Sequence, residues 1–193
     1  PEYGSPRRPM FPEAEVLHIL DVLDARIPHL APFGAFADIG YGISALLFID
    51  HISVSRIDHP RARFTLGQDI KAVIRQIDRE QGRIFLSHRE LLGTWAENAA
   101  AFTQGQTVLG IARSVEPYGI FVELTPNLTG LAEFRPDVKA GDRVSVFIKN
   151  IIPEKMKCKL IIIDCFAGSD EPTPFHYFID SGHLDRFVYS PPA

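Results

Sequence analysis

The sequence predicts a mostly β protein made of two small five-stranded barrels, joined by a short helical linker and followed by a C-terminal β-hairpin tail. The first observation is an internal repeat, because PFGAFADI at 32–39 returns as PYGIFVEL at 117–124, and GQDIKAVIRQI at 67–77 returns as GDRVSVFIKNI at 141–151. Such repeats are sought first because they can decide the architecture. The second is the alternation of apolar and polar residues in the longest strand of each copy, which indicates half-buried β-structure. Five short strands in each copy favour a closed barrel, since closure leaves no unprotected edge.

Each repeat shows the same order of elements, and turn residues separate them. GYG at 40–42 and TPN at 125–127 are predicted hairpin turns, and Gly67 and Gly141 precede the long strand of each copy. The predicted organisation is an N-terminal extension at 1–21, a first barrel at 22–88, a linker at 89–104, a second barrel at 105–164 and an acidic tail at 165–193.

The linker contains a predicted helix over TWAENAAAF. Thr94 is its expected N-cap, Glu97 completes a capping box, and Gly105 follows its end. Trp95 and Phe102 are expected to attach this helix to a barrel. Before the first barrel, EAEVLHILDVL fits a helix and a strand equally well. In the tail, two aromatic runs over 175–189 surround DSGH at 180–183, which predicts a hairpin.

Composition narrows the class of protein. A net charge of −4 argues against binding of nucleic acid through bulk positive charge, and the two cysteines form neither a disulfide framework nor a CxxC metal site. We find no membrane-spanning stretch, signal peptide or catalytic motif, so we expect a cytoplasmic, non-catalytic protein without a metal or cofactor. The polar tail residues His176, Asp180, His183 and Asp185 match no common metal-site spacing.

An aromatic residue is predicted on the polar side of one strand in each repeat. Alternation places Phe121 on the same face as Glu123, and Phe36 on the same face as Asp38, opposite the core residues. An exposed ring on a small barrel is a stacking platform for an unpaired base. Taken singly, an aromatic on a strand is more often a core or contact residue.

A second aromatic precedes each of these rings. Strict alternation places Phe33 and Tyr118 with the core, but Gly34 and Gly119 beside them could bulge the strand and turn both rings outward.

Cations near these rings are candidates for phosphate contact. In EKMKCKL, three lysines at alternate positions are predicted to share one face, opposite Met156, Cys158 and Leu160. The loop arginines at 56, 61 and 63, flanked by His51 and His59, form a cluster that could meet phosphate but is more often a solvated loop. The strand candidates are Arg75, Arg83, Lys149, Lys155, Lys157 and Lys159.

The motifs in combination resemble two tandem S1 domains, a family of OB-fold RNA-binding barrels. FGAFADI, ALLFIDHIS, GQDIKAVIRQID and GRIFLS follow the family pattern in order, and YGIFVEL, GLAEF, GDRVSVFIKNI and KCKLII repeat it. Phe48 stands where the family has His, Glu133 is an acid at the same site of the second copy, and Ile152 replaces an Asp. The resemblance implies RNA-facing roles for Phe33, Phe36, Phe48, Asp78 and Arg83, and for Tyr118, Phe121, Glu133 and Lys157.

The resemblance implies single-stranded RNA binding with little sequence preference, with mRNA in translation as the expected target and the ribosome or other S1 repeats as further partners. Two alternatives remain at this point. One is a protein-docking module that anchors to the ribosome, which the acidic tail favours. The other is an RNA-holding appendage of a ribonuclease or phosphorylase.

Overall fold

The computed structural model describes residues 21–168, 172, 174–184 and 187–190, and within them ten strands form two closed five-stranded barrels joined by a short helix. The predicted barrels are therefore confirmed. The first barrel contains β1 Val22–Ala31, β2 Gly34–Asp38, β3 Ser44–Phe48, β4 Asp69–Asp78 and β5 Arg83–Ser87. The second contains β6 Thr107–Glu116, β7 Gly119–Thr125, β8 Leu128–Ala132, β9 Arg143–Ile152 and β10 Lys157–Phe166.

Both barrels close in the same way. The strand order is β1-β2-β3-β5-β4 in the first and β6-β7-β8-β10-β9 in the second, with the parallel pairs β3–β5 and β8–β10. A parallel pair needs a long connection between its strands. Residues 49–68 and 133–142 form the loops that leave β3 and β8, and the longer loop of the first barrel reaches the second barrel.

The two interiors are filled differently. Alanine takes five of the inward strand positions of the first barrel. Phe64 from the 49–68 loop is buried in the same cluster, with Phe175 from the tail packed against it. The small side chains on the strands leave space in the core, and these two rings fill it. In the second barrel, valine and isoleucine fill the inward positions of β7 and β9, as the alternation predicted.

The linker helix forms where the sequence predicts it. α1 spans Trp95–Ala99, and its capping box is complete, because the Thr94 hydroxyl accepts from the Glu97 amide at 3.2 Å and the Glu97 carboxylate accepts from the Thr94 amide at 2.9 Å. Trp95 is buried in the core of the second barrel and Phe102 packs against that core. The expected attachment of the helix to a barrel is confirmed.

The predicted tail hairpin is wrong, because the described residues between 175 and 189 form no strand pair with each other. They bond to the linker and to the first barrel instead. The amide of Phe178 donates to the carbonyl of Leu91 at 2.9 Å, and the carbonyl of Gly182 accepts from the amide of Val22 at 2.9 Å. Burial of the tail rings against the barrels favours this path over a hairpin exposed to solvent.

Asn127, in the turn between β7 and β8, connects four parts of the chain. Its side-chain oxygen accepts from the amide of Val54 at 3.0 Å, and its side-chain nitrogen donates to the carbonyls of Arg89 and Gly93, both at 2.8 Å. Its own carbonyl accepts from the hydroxyl of Tyr189. The residue is 1% exposed. The second barrel is thus tied to the first-barrel loop and the linker through the side chain of Asn127, and to the tail through its main-chain carbonyl.

Asn127→Ala is expected to lower the free energy of unfolding by roughly 2–4 kcal/mol, because it leaves one amide and two carbonyls without partners in a buried site. Urea denaturation measures this. Asn150→Ala is the matched control, since Asn150 is partly exposed and makes no side-chain hydrogen bond within the described residues. Equal effects of the two substitutions would contradict the proposed weight of the Asn127 contacts.

His88 is a buried histidine held neutral by its surroundings. Burial, with Arg63 contributing, lowers the pKa of His88 to about 4, although a backbone hydrogen bond to Ile52 opposes the shift. The ring contacts the carbonyl oxygen of Ile52 at 2.8 Å through Nδ1 and the hydroxyl of Tyr177 at 3.0 Å through Nε2. Since a carbonyl can only accept, Nδ1 carries the proton. The amide of Lys71 donates to the Tyr177 hydroxyl at 3.3 Å, which leaves that hydroxyl to donate to Nε2.

The free energy of unfolding is expected to decrease as the pH is lowered from 6.5 to 4. His88 alone should account for about 3 kcal/mol of this decrease. The native pKa lies below the ordinary value, so the unfolded chain binds the extra proton in this window and acid favours unfolding. Denaturation measured at several pH values in this window gives the slope of the free energy of unfolding against pH. This slope should be smaller in His88→Gln than in the wild type. His176→Gln, which changes an exposed tail histidine, should keep the slope of the wild type. An unchanged slope in His88→Gln would show that other groups cause it.

Candidate nucleic-acid interface

One side of the first barrel carries a row of three rings and one leucine on its outer surface. Strand register places His29 opposite Phe36, Phe36 opposite Leu46, and Leu46 opposite Phe85. Each belongs to a different strand, so the row crosses β1, β2, β3 and β5 in sequence. Together with Phe33 and Phe48 these residues form what we call the first aromatic face.

The rings of this face contact one another without joining the core. Phe36 lies 5.4 Å from His29 and 5.9 Å from Phe33 between ring centroids, and Phe48 stacks on Phe85 at 5.6 Å with 15° between the planes. Phe33 is 48% exposed, whereas Phe36, Phe48 and Phe85 are partly buried. The barrel core does not include Phe36. Half-exposed rings with one open side suit stacking against a flat ligand.

The second barrel carries a reduced version of the same face. Register places Ser114 opposite Phe121, Phe121 opposite Leu131, and Leu131 opposite Lys159. Tyr118 meets Phe121 edge-on at 6.2 Å between centroids and is 69% exposed. These four positions with Tyr118 form the second aromatic face. Ser114 therefore replaces His29, and Lys159 replaces Phe85.

The outward direction of Phe33 and Tyr118 has a different cause from the predicted bulge. Each ring lies just before its strand, and β2 pairs with β3 without any register shift. The β1–β2 and β6–β7 pairs each contain a bulge, and these bulges lie in β1 and β6. Gly34 is required for another reason, because an added Cβ would lie 2.3 Å from the carbonyl oxygen of Leu47.

The predicted cations lie in several settings. Arg75 is exposed, with its guanidinium carbon 5.9 Å from the Phe85 ring centroid, and Arg83 is exposed two residues before Phe85 on the same strand face. Asp78 accepts from the amide of Gln81 at 3.1 Å and so holds the β4–β5 turn. In the second barrel, Lys149, Lys157 and Lys159 are exposed on β9 and β10, and within the described residues no carboxylate lies at ion-pair distance from them.

The predicted row of three alternating lysines is wrong for its first member. Lys155 lies in the 3₁₀ turn Pro153–Lys155, and Met156 has a left-handed backbone with φ of 52°. This conformation interrupts the alternation, so the strand row contains only Lys157 and Lys159, opposite buried Cys158 and Leu160.

The interpretation of Arg63 as part of a solvated loop is also wrong, and so is the solvated setting expected for Glu123. Arg63 and Glu123 are 4% and 5% exposed. Both terminal nitrogens of Arg63 donate to the Glu123 carboxylate, one of them at 2.7 Å, and Arg113 donates to the same carboxylate at 3.0 Å. Burial alone would raise the pKa of Glu123, but the two guanidinium groups outweigh it and hold the pKa below its usual value. The first barrel covers the outer face of β7 here.

Glu123→Gln is expected to destabilise the protein by roughly 3 kcal/mol, since it leaves the charge of Arg63 buried without an anionic partner. Thermal or urea unfolding measures the loss. Glu133→Gln removes an exposed carboxylate in the same barrel and serves as the control, with a change within about 0.5 kcal/mol. Full stability of Glu123→Gln would contradict a structural role for this ion pair.

The sequence interpretation missed Phe85, His29 and Leu46. The signal for Phe85 is present in GRIFLS, where Ile84 and Leu86 take the inward positions and leave Phe85 outside. His29 is harder to find because a bulge between Arg26 and His29 shifts the alternation of β1.

Other chemistry finds little support in the described part of the chain. No group of three His, Cys, Asp or Glu residues there could hold a metal ion, and Asp185 lies outside the described residues. His183 bonds to Asp21 at 2.8 Å. None of the helices in the described part has the length and hydropathy to cross a membrane. Cys158 is buried, which raises the pKa of its thiol.

Comparison with known proteins identifies the first barrel. Residues 19–89 match the family model described as S1 RNA binding domain. The chain is 36% identical over 182 residues to the small ribosomal subunit protein bS1 of Staphylococcus aureus strain MRSA252, which covers 86% of this chain and 46% of that protein. It is 31% identical over 156 residues to bS1 of Leuconostoc lactis, covering 75% of this chain and 36% of the relative.

The chain thus spans less than half the length of these relatives. A solved structure described as an a/eIF2alpha–aDim2p–rRNA complex from Pyrococcus horikoshii OT3 aligns at 22% identity and a TM-score of 0.38, over 48% of this chain and 52% of that one. The sequence matches support RNA binding by this protein.

Proposed function

Because this chain belongs to the S1 RNA-binding domain family through residues 19–89, we propose that it binds single-stranded RNA non-catalytically on the two aromatic faces. The carrying observation is the register row of His29, Phe36, Leu46 and Phe85, which places three rings and one aliphatic side chain on four neighbouring strands. Each stacked base contributes about 1–3 kcal/mol and is accepted without regard to its identity. Binding is therefore tolerant of sequence.

The two barrels divide the work of binding. The first face presents rings, with Arg75 and Arg83 at its edge, and it holds bases. The second face presents Tyr118 and Phe121 with Lys157 and Lys159, so it contacts phosphates more than bases. Exposed Glu133 follows β8 on this second face, and its charge opposes phosphate there.

The biological setting is translation, with mRNA as the strand that is bound. This part of the proposal rests on the similarity of most of the chain to bacterial ribosomal protein bS1. The cytoplasm is the corresponding compartment, in agreement with two free cysteines in the chain.

Protein docking is the second candidate function, and it concerns the second barrel. Ile161 and Ile163 are alternate residues on the outer side of β10 and are 43% and 46% exposed, whereas Leu109 on β6, which is 60% exposed, is separated from them by β9. Neighbouring apolar side chains at the surface are typical of contact sites for other proteins. Because the relatives are proteins of the small ribosomal subunit, the docking partner in this case is the ribosome.

Phe36→Ala and Phe121→Ala are expected to weaken binding of a labelled oligo(U) strand about 5- to 100-fold, since each removes one stacking surface. Fluorescence anisotropy at two salt concentrations measures both affinity and its salt dependence. Each phosphate contact should contribute about 0.7 to the log–log slope. The free energy of unfolding should change by about 1 kcal/mol or less, because both rings are only partly buried.

Tyr41→Asn is the matched control. Tyr41 is a fully exposed ring in the β2–β3 turn, at the end of the hairpin away from Phe33 and Phe48, and asparagine tolerates its positive φ of 56°. Its affinity should equal that of the wild type. A wild type that binds no single-stranded RNA, or ring substitutions without effect on affinity, would reject the proposal in favour of docking.

A further inference from the structure

A cleft between the two barrels carries a concentration of arginine. It encloses about 740 Å³ and is bordered by the 49–68 loop of the first barrel and by β6 of the second. Its lining includes Arg56, Arg61, Arg63 and Arg113. Asp58 also lines the cleft, and Glu123 lies behind Arg63. Four arginines against these two carboxylates leave an excess of two positive charges.

The arginines differ in the donors they have free. Arg63 uses all its side-chain nitrogens, because Nε donates to the Ser53 hydroxyl at 3.1 Å and both Nη atoms donate to Glu123. Arg113 also donates twice to Glu123. Arg56 and Arg61 are exposed, and within the described residues their side chains have no hydrogen-bond or ion-pair partner. The guanidinium groups of Arg56 and Arg61 therefore have all their donors available, whereas Arg63 and Arg113 are held in place by Glu123.

The cleft lies beside both aromatic faces. Leu30 lines it and follows His29 of the first face directly, whereas Arg113 lines it and precedes Ser114 of the second face. Glu123, which both wall arginines bind, is two residues from Phe121 on the same side of β7. At about 3.3 Å per residue, that separation is about 7 Å. Both barrels thus place cleft residues next to members of their aromatic faces.

Building on the proposed RNA binding, we infer that this cleft is a phosphate site at which one RNA strand crosses from the first barrel to the second. Guanidinium groups recognise phosphate with paired, charge-assisted hydrogen bonds and outdo lysine in that geometry. The site reads no bases, so it adds affinity without adding sequence preference. Its contribution arises only with a strand long enough to occupy both faces.

The experiment compares the full chain with its Arg56→Ala/Arg61→Ala variant, using labelled oligo(U) of five and twenty nucleotides. One OB-fold barrel covers about 4–16 nucleotides, so the short strand occupies one face and the long strand can span both. We expect the variant to lose about tenfold in affinity for the long strand. Its log–log salt slope should fall by about 1.4, for two contacts at about 0.7 each. Affinity for the five-nucleotide strand should change less than twofold.

Arg26→Ala/Arg135→Ala is the matched control. It removes exposed Arg26 and partly exposed Arg135, which lie outside the cleft and pair with Asp69 and Asp137, and so it changes the net charge equally. This variant should keep the affinity of the wild type for both strands. Equal losses for the short and long strands, or equal losses in the control, would assign the effect to the general electrostatic field and overturn the crossing.

Free nucleotide provides the remaining arm. Saturable binding of uridine triphosphate that disappears in Arg56→Ala/Arg61→Ala, with long-strand affinity intact, would make the cleft a small-ligand site and overturn the crossing. Unchanged long-strand affinity alone would do the same while leaving the aromatic faces as the RNA surface. A wild type that binds neither strand would overturn the proposed function itself, and the crossing with it.

Discussion

The buried ion pair between Arg63 and Glu123 is the contact on which the joint use of the two barrels depends. A closed barrel has no edge through which it can pair with another sheet, so two barrels associate only through loops and outer faces. Here the 49–68 loop supplies a guanidinium, β7 supplies a carboxylate, and Arg113 and Ser53 satisfy the remaining lone pairs and donors. Asn127 adds neutral bonds beside them. Such a junction tolerates little relative rotation, because rotation would leave charges without partners in a dry site.

The repeat explains why the two barrels share a fold and differ at the surface. Inward positions of both copies must remain small or aliphatic to fill a closed cylinder, which fixes one residue in two along each strand. The outward residues carry no such requirement. Phe85 and Lys159 occupy the same register position, and one stacks on Phe48 whereas the other presents a charge. The surface chemistry of the two copies can therefore differ through the outward residues alone.

Most of the architecture could be predicted from local patterns. Alternation over Ile70–Ile74 and Val144–Ile148, the turns at 40–42 and 125–127, and the capping box of Thr94 each depend on neighbouring residues alone. Most of what the sequence interpretation missed has a different origin, although the error at Lys155 is local, since the left-handed backbone of Met156 interrupts the alternation. The burial of Arg63 and Glu123, the path of the tail and the contact of Tyr177 with His88 depend on which distant segment covers an outer face. Periodicity predicts which side of a strand a residue faces, but it does not predict which distant segment packs against that side.

The alanine-rich interior of the first barrel has a consequence for how this chain can be divided. Phe64 and Phe175 complete that interior. In the sequence, the whole second barrel lies between β5 and Phe175. His88, in turn, is shielded from water by Phe175 and Tyr177. A fragment cut at the end of the first repeat would keep every strand of its barrel and still lack part of its hydrophobic filling. The unit of sequence repetition is consequently smaller than the unit that completes its own hydrophobic core.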